Sequence, residues 1–167
     1  MKLSKYPLTS SENMMTFEFI SEGLKGLIHK LVRYQPTNLK DVYNLVLGDK
    51  DHTTGKIDDT VYFVQNTSMV ISNNKDSEKV LASVVSTVYA FTDKFPNAWI
   101  YAIGSTKSRT RLYYVLRTKY KYRMGISRFL SEVEEDFEVL GERNDNWETF
   151  RENIEYESFL VRRKKKI

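Results

Sequence analysis

Cysteine is absent from all 167 residues, and with it go disulfides, thiolate metal sites, iron–sulfur clusters and cysteine nucleophiles. A reducing compartment fits that absence, and a cytoplasmic location is the expectation. No apolar run is long enough to span a bilayer, and the start, Met1 to Pro7, lacks the apolar core of a signal peptide, so no membrane association is expected. Only 3 prolines and 7 glycines interrupt the chain, which argues against disorder. Histidine is scarce too. His29 and His52 are the only two, and neither has a local signature linking it to a serine, so each reads as structural or solvent-facing rather than as a general base.

What is present is globular: 41% hydrophobic and 29% charged residues, with 11 tyrosines and 9 phenylalanines. The length suits a single domain, 1–167, with an extended arm at 1–13 and a frayed, solvated basic tail at 162–167. Net charge is +4, but unevenly placed. Lys107, Arg109, Arg111, Arg117, Lys119, Lys121, Arg123 and Arg128 follow one another with no acid among them, and then Glu132, Glu134, Glu135, Asp136 and Glu138 arrive together. Such a basic block suits phosphate, an anionic surface or an acidic protein partner, and equally a plain solvated face.

Periodicity supplies the elements. Phe17 and Phe19 alternate with Thr16 and Glu18, predicting a half-buried strand that ends at Ser21 to Gly23. Leu27 to Tyr34 is apolar on both sides, as a central strand should be, and Gly23 to Gly26 would join the two as a hairpin. Val42 to Leu47 predicts a third strand and Val61 to Ile71 a further long one. Between them Asp49, Asp51, Asp58 and Asp59 surround His52, but the terminal glutamate of a calcium loop is missing, so a polar turn is expected and no metal. Asp76 or Ser77 would cap a helix whose Val80, Leu81, Val84, Val85, Val88, Phe91 and Phe95 form one apolar stripe, stopped by Pro96. A second stripe, Ile126, Phe129, Leu130, Val133 and Phe137, predicts a second helix. Phe137 to Leu140 reads as a strand closed by Gly141, Asp145 or Asn146 as the cap of a helical turn containing Trp147 and Phe150, and Tyr156 to Val161 as the last strand.

The chain is organised around Ala98 to Tyr113. Trp99, Ile100, Tyr101 and Ile103 make a strand, Gly104 permits a turn, and Ser105 or Thr106 can cap a helix whose first turn carries Lys107, Arg109 and Arg111. Backbone N–H groups at such a terminus attract anions, and arginine adds a bidentate fork. Beyond it, Tyr114, Leu116, Thr118, Tyr120 and Tyr122 alternate with Val115, Arg117, Lys119, Lys121 and Arg123, which favours a strand with aromatics on one side and cations on the other. The candidate binding residues are therefore Ser105, Thr106, Lys107, Arg109, Arg111, Tyr113, Arg117, Lys119 and Lys121. In the alternative arrangement the two hydroxyls merely cap the helix and the arginines pair with Glu132 to Asp136.

Phe17 to Gly23, Gln35 to Asn38, Asn44 to Asp49, Lys79 to Ala82, Phe91 to Asp93, Gly104-Ser105-Thr106 with Arg109-Thr110-Arg111-Leu112-Tyr113, and Tyr156 to Lys164 together resemble an uncharacterised bacterial family, mostly from Bacteroidota, known as a domain of unknown function. The resemblance covers nearly the whole chain and implies no activity, substrate or catalytic residue. Against that pattern residues 62–69 and 114–122 look like insertions of strand-like composition.

Catalytic machinery is thin. Ser105 after Gly104 faintly echoes a nucleophile elbow, but Lys107 stands where the second glycine belongs, and a phosphate-binding loop lacks its upstream glycine. The expected fold is α+β, a curved, mainly antiparallel sheet with two principal helices packed on one face. The expected function is non-catalytic binding of single-stranded nucleic acid or a phosphate anion, with no cofactor. The alternatives are a protein interaction module, one half of an operon-encoded pair, and a phosphate-directed enzyme.

Overall fold

Alternation of apolar and polar residues becomes strand wherever it was expected in the first third of the chain. The computed structural model describes residues 4–50, 74–101, 135–151, 154, 156 and 158–166. These residues form strands β1 (Thr9–Ser10), β2 (Thr16–Gly23), β3 (Gly26–Pro36), β4 (Val42–Asp49), β5 (Trp99–Tyr101), β6 (Phe137–Arg143), β7 (Asn146–Thr149) and β8 (Ser158–Arg163), with helix α1 (Ser77–Lys94) between β4 and β5. They build one open sheet in the order β1-β2-β3-β4-β5-β8-β6-β7. Among the described strands β4 and β5 are the one parallel pair, and α1 lies in the connection between them, as a parallel crossover requires. The fold is therefore α+β, with a mixed and mostly antiparallel sheet.

One helix, not two, is found among the described residues. The expected second helix falls on residues outside them, except that its last member, Phe137, opens β6. The expected strand at 61–71, both suspected insertions and the aspartates beyond Asp49 also lie outside the described residues.

The pleat gives each face of the sheet its own set of side chains. Phe17, Phe19, Val32, Tyr34, Leu45, Leu47, Ile100, Phe137, Val139, Phe159 and Val161 point to one face and are buried with Val80, Val84, Val88 and Phe91 of α1. Valines are indifferent helix formers alone, so this contact holds the helix. At its centre the rings of Tyr34 and Phe91 stack with centroids 4.0 Å apart, and the Tyr34 hydroxyl meets Thr87 Oγ1 at 2.8 Å.

Asp76 does sit at the N-cap position, but its side chain makes no capping bond. Its carboxylate is taken instead by the hydroxyls of Tyr6 at 2.6 Å and Ser21 at 2.5 Å. The Tyr6 hydroxyl in turn accepts the backbone N–H of Glu22 at 3.0 Å. The N-terminal arm is thus tied down, with Tyr6 in the core and β1 paired to β2. Asn74 completes the junction: its side chain accepts the Lys25 N–H at 2.5 Å and donates to the Gly26 carbonyl at 2.8 Å. Gly23 must be glycine here, because a Cβ would lie 1.8 Å from the Asn74 carbonyl oxygen.

The C-terminal part needs three corrections. Gly141 does not close its strand; β6 runs on to Arg143, and the glycine makes room for the Tyr156 ring, whose nearest atom would be 2.3 Å from an added Cβ. Asn146 caps no helical turn: Asn144 and Asp145, at φ 53° and 60°, form a tight two-residue loop and residues 146–149 return as β7. Positive φ at both loop positions matches the right-handed twist of a hairpin, and Asn and Asp tolerate it. Finally, the basic tail is not wholly frayed. Arg162 and Arg163 belong to β8; Arg163 pairs with Asp93 and lies over the Tyr89 and Phe137 rings at 4.7 and 5.0 Å.

Candidate nucleic-acid interface

Residues of the opposite parity point to the far face, the one α1 does not cover. Among the described residues, Leu31 and Val46 form a small buried apolar cluster there. Around them stands a different population of side chains. In β5, Ile100 faces the helix and Trp99 and Tyr101, both half-buried, face away. Registry then places neighbours beside them: Trp99 lies between Val42 and Arg162, and Tyr101 between Asn44 and Leu160. One strand further out, Gln35 is the partner of Asn44.

Contacts on this face are those of flat rings and planar polar groups. The Arg162 guanidinium lies over Trp99, 4.2 Å from the ring centroid, and its outer edge is held by Glu138 at 2.9 Å. The rings of Tyr101 and Trp147 meet edge-on with centroids 6.0 Å apart, and Trp147 is 40% exposed. The Tyr101 hydroxyl donates to Ser158 Oγ at 3.2 Å, and Ser158 donates to the buried Glu142 carboxylate. That relay fixes the Tyr101 ring and leaves its face for packing. By contrast, among the described residues the carboxamides of Gln35 and Asn44 and the guanidinium of Arg33 carry no side-chain hydrogen bond, although all three are half-buried.

The sequence-predicted binding residues Ser105, Thr106, Lys107, Arg109, Arg111, Tyr113, Arg117, Lys119 and Lys121 lie outside the described residues. The described structure therefore brings none of them together. Tyr101, the last described residue before them, ends β5 in the middle of the sheet. The alternative arrangement, in which the arginines pair with Glu132 to Asp136, also lies outside the described residues, apart from Glu135 and Asp136 themselves. Asp136 accepts the Tyr89 hydroxyl at 2.9 Å, and the neighbouring Glu138 holds Arg162. Tyr89 is pushed up to about 12 by burial and by its bond to Asp136.

Periodicity alone could have found the far face, since every second residue of β3, β4, β5, β6 and β8 belongs to it. Trp147 and Arg162 were missed because one was read into a helical turn and the other into a frayed tail. Among the described residues no three His, Asp or Glu side chains gather as metal ligands; Asp49 pairs with the buried Lys30. Nor is any described helix long and apolar enough to cross a membrane.

Fold and surface together define an α+β protein with a sheet backed by a helix on one side and lined by aromatic, amide and guanidinium groups on the other. Residues 2–164 match a family of unknown function (DUF6934), and the chain belongs to that family. Comparison with the curated proteins and with the solved structures gives no match.

Proposed function

We propose that the protein is a non-catalytic binder of single-stranded nucleic acid. In this reading Trp99, Tyr101 and Trp147 on the far face supply stacking surface, and the basic run from Lys107 to Lys121 follows the backbone. The observation that supports it is the sharing of one sheet face by three large rings, two arginines and two carboxamides that make no hydrogen bond among the described residues, with Trp99 and Tyr101 on β5, the strand that precedes that run in the sequence. Base stacking on aromatic side chains is sequence-tolerant, and a cationic segment beside it supplies the salt-dependent part of the affinity. Charges on the described part of the face largely cancel, since Glu138 offsets Arg162. The surplus positive charge must come from Lys107, Arg109, Arg111, Arg117, Lys119 and Lys121.

Fluorescence anisotropy with a labelled mixed-sequence 12-mer, as RNA and as DNA, tests this at about 50 mM and about 200 mM salt. Binding should weaken at least tenfold over that range. Trp99→Ala should weaken it by about tenfold, as expected for one lost stacking contact. Should the Arg109→Ala, Arg111→Ala double variant bind as tightly as the parent, the basic corner is wrong. Absence of binding at the lower salt would end the reading.

One observation favours a second reading, association with another protein. Ile20, Leu24 and Leu27, at 39%, 80% and 66% exposure, cluster at the β2–β3 hairpin. Association through such a patch would be insensitive to salt.

A further inference from the structure

We infer that the far face selects adenine, through the paired carboxamides of Gln35 and Asn44; this rests on the nucleic-acid reading and deepens it. The two residues are direct partners across β3 and β4. Tyr34 and Leu45, adjacent to them in sequence, are buried against α1, so Gln35 and Asn44 both point to the far face. Directly opposed residues hold their Cβ atoms about 5 Å apart. Among the described residues neither carboxamide makes a hydrogen bond, and Asn44 has Tyr101 as its other neighbour. Two half-buried amides without partners among the described residues, one of them beside an aromatic ring, contrast with the side chains of Tyr6, Ser21, Tyr34, Asn74 and Ser158, which all find theirs.

Each carboxamide offers one donor edge and one acceptor edge side by side. Adenine carries an exocyclic amine with two hydrogens, flanked by ring acceptors N1 and N7. Two carboxamides approaching together can each accept one amine hydrogen and each donate to one ring nitrogen, so all four groups are satisfied. Guanine gives two acceptors, O6 and N7, on its Hoogsteen edge and leaves one carboxamide oxygen facing an acceptor. Cytosine and uracil have a C–H where adenine has N7, and satisfy only one of the pair. Adenine is thus the standard base that uses both amides in full. Tyr101, its hydroxyl engaged by Ser158, presents its ring rather than its polar end to the bound base.

Labelled RNA 12-mers of adenine, uracil and cytosine, measured by anisotropy against the parent, Gln35→Met and Asn44→Leu, test the inference. The parent should bind the adenine strand at least about tenfold more tightly than the other two, the lower end of what a bidentate base contact provides. Each variant should lose most of that preference, because its affinity for the adenine strand falls further than its affinity for the uracil strand, with a thermal midpoint showing that it remains folded. Equal binding of all three strands by the parent would overturn adenine selection and leave nucleic-acid binding standing. Preference that survives undiminished in both variants would overturn the role of the amides. Binding of no strand would overturn both this inference and the function beneath it.

Discussion

The two faces of the sheet use similar residues for opposite ends. On the helix side Tyr34 is fully enclosed, its ring stacked on Phe91 and its hydroxyl bonded to Thr87. Two strands away on the far side, Tyr101 is half-buried and touches Trp147 edge-on. Phe91 meets aromatic rings, whereas Trp99 meets a guanidinium. The difference follows from what covers each face. A sheet face sealed by a helix must satisfy every polar atom internally, because water cannot reach it. On the far face, which α1 does not seal, planar groups stay uncommitted among the described residues.

The contrast can be broken first at Phe91. Phe91→Ala should lower stability by about 3–5 kcal/mol, read from urea unfolding, since the ring is completely buried between Tyr34 and Tyr43. A loss under about 1 kcal/mol would show that the helix does not seal this face. Gly141→Ala comes next. The added methyl would collide with the Tyr156 ring, and overpacking of that kind costs about 1–3 kcal/mol.

Alkaline titration sharpens the comparison further. Burial holds the Tyr34 phenol far above its usual value, and Tyr6 is raised by burial and by its bond to Asp76. As pH climbs through about 10 the unfolded chain releases these protons first. Stability is therefore complete below that point and falls above it, with Tyr89 extending the decline towards about 12. Unfolding midpoints measured between pH 8 and 11 should drop in the parent, with a shallower slope in Tyr34→Phe. At neutral pH that variant should lose only about 1 kcal/mol, the worth of one hydrogen bond. The smallest effect belongs to the far face: Arg162→Ala should change stability by only about 1 kcal/mol, because one cation–π contact and one partly exposed ion pair are lost. A larger loss would mean that this face, too, is structural.

Local pattern revealed the parts of the fold that local physics decides. The valine and phenylalanine stripe of α1, the alternation in β2 and the hairpin at Gly23 to Gly26 were all legible because period and turn chemistry agree. The parallel pairing of β4 with β5 was not, since it depends on a crossover that no short window contains. Gly141 was misread for a related reason. A glycine inside a strand signals close approach by another group, but the group is Tyr156, fifteen residues later and across the sheet. Asn144-Asp145 lacks the glycine that usually marks a tight hairpin, which let Asn146 pass for a cap. The concentration of charge that the sequence places after Tyr101 lies outside the described residues, while Tyr101 itself was legible as part of a strand. The amides of the candidate site were not legible, because Gln35 and Asn44 become neighbours only through strand registry.

Lys50 and Asn74 stand at the two ends of the stretch 51–73, and both are moored to the same hairpin. Lys50 donates its N–H to the His29 carbonyl at 2.9 Å and pairs with Glu18 at 2.6 Å, while Asn74 grips Lys25 and Gly26. Exit and re-entry are thereby pinned independently of whatever lies between. Closing a longer loop across fixed ends costs little more than closing a shorter one, about 0.6 kcal/mol for each doubling. This junction is thus a place where an engineer can graft a longer or shorter segment without re-deriving the sheet.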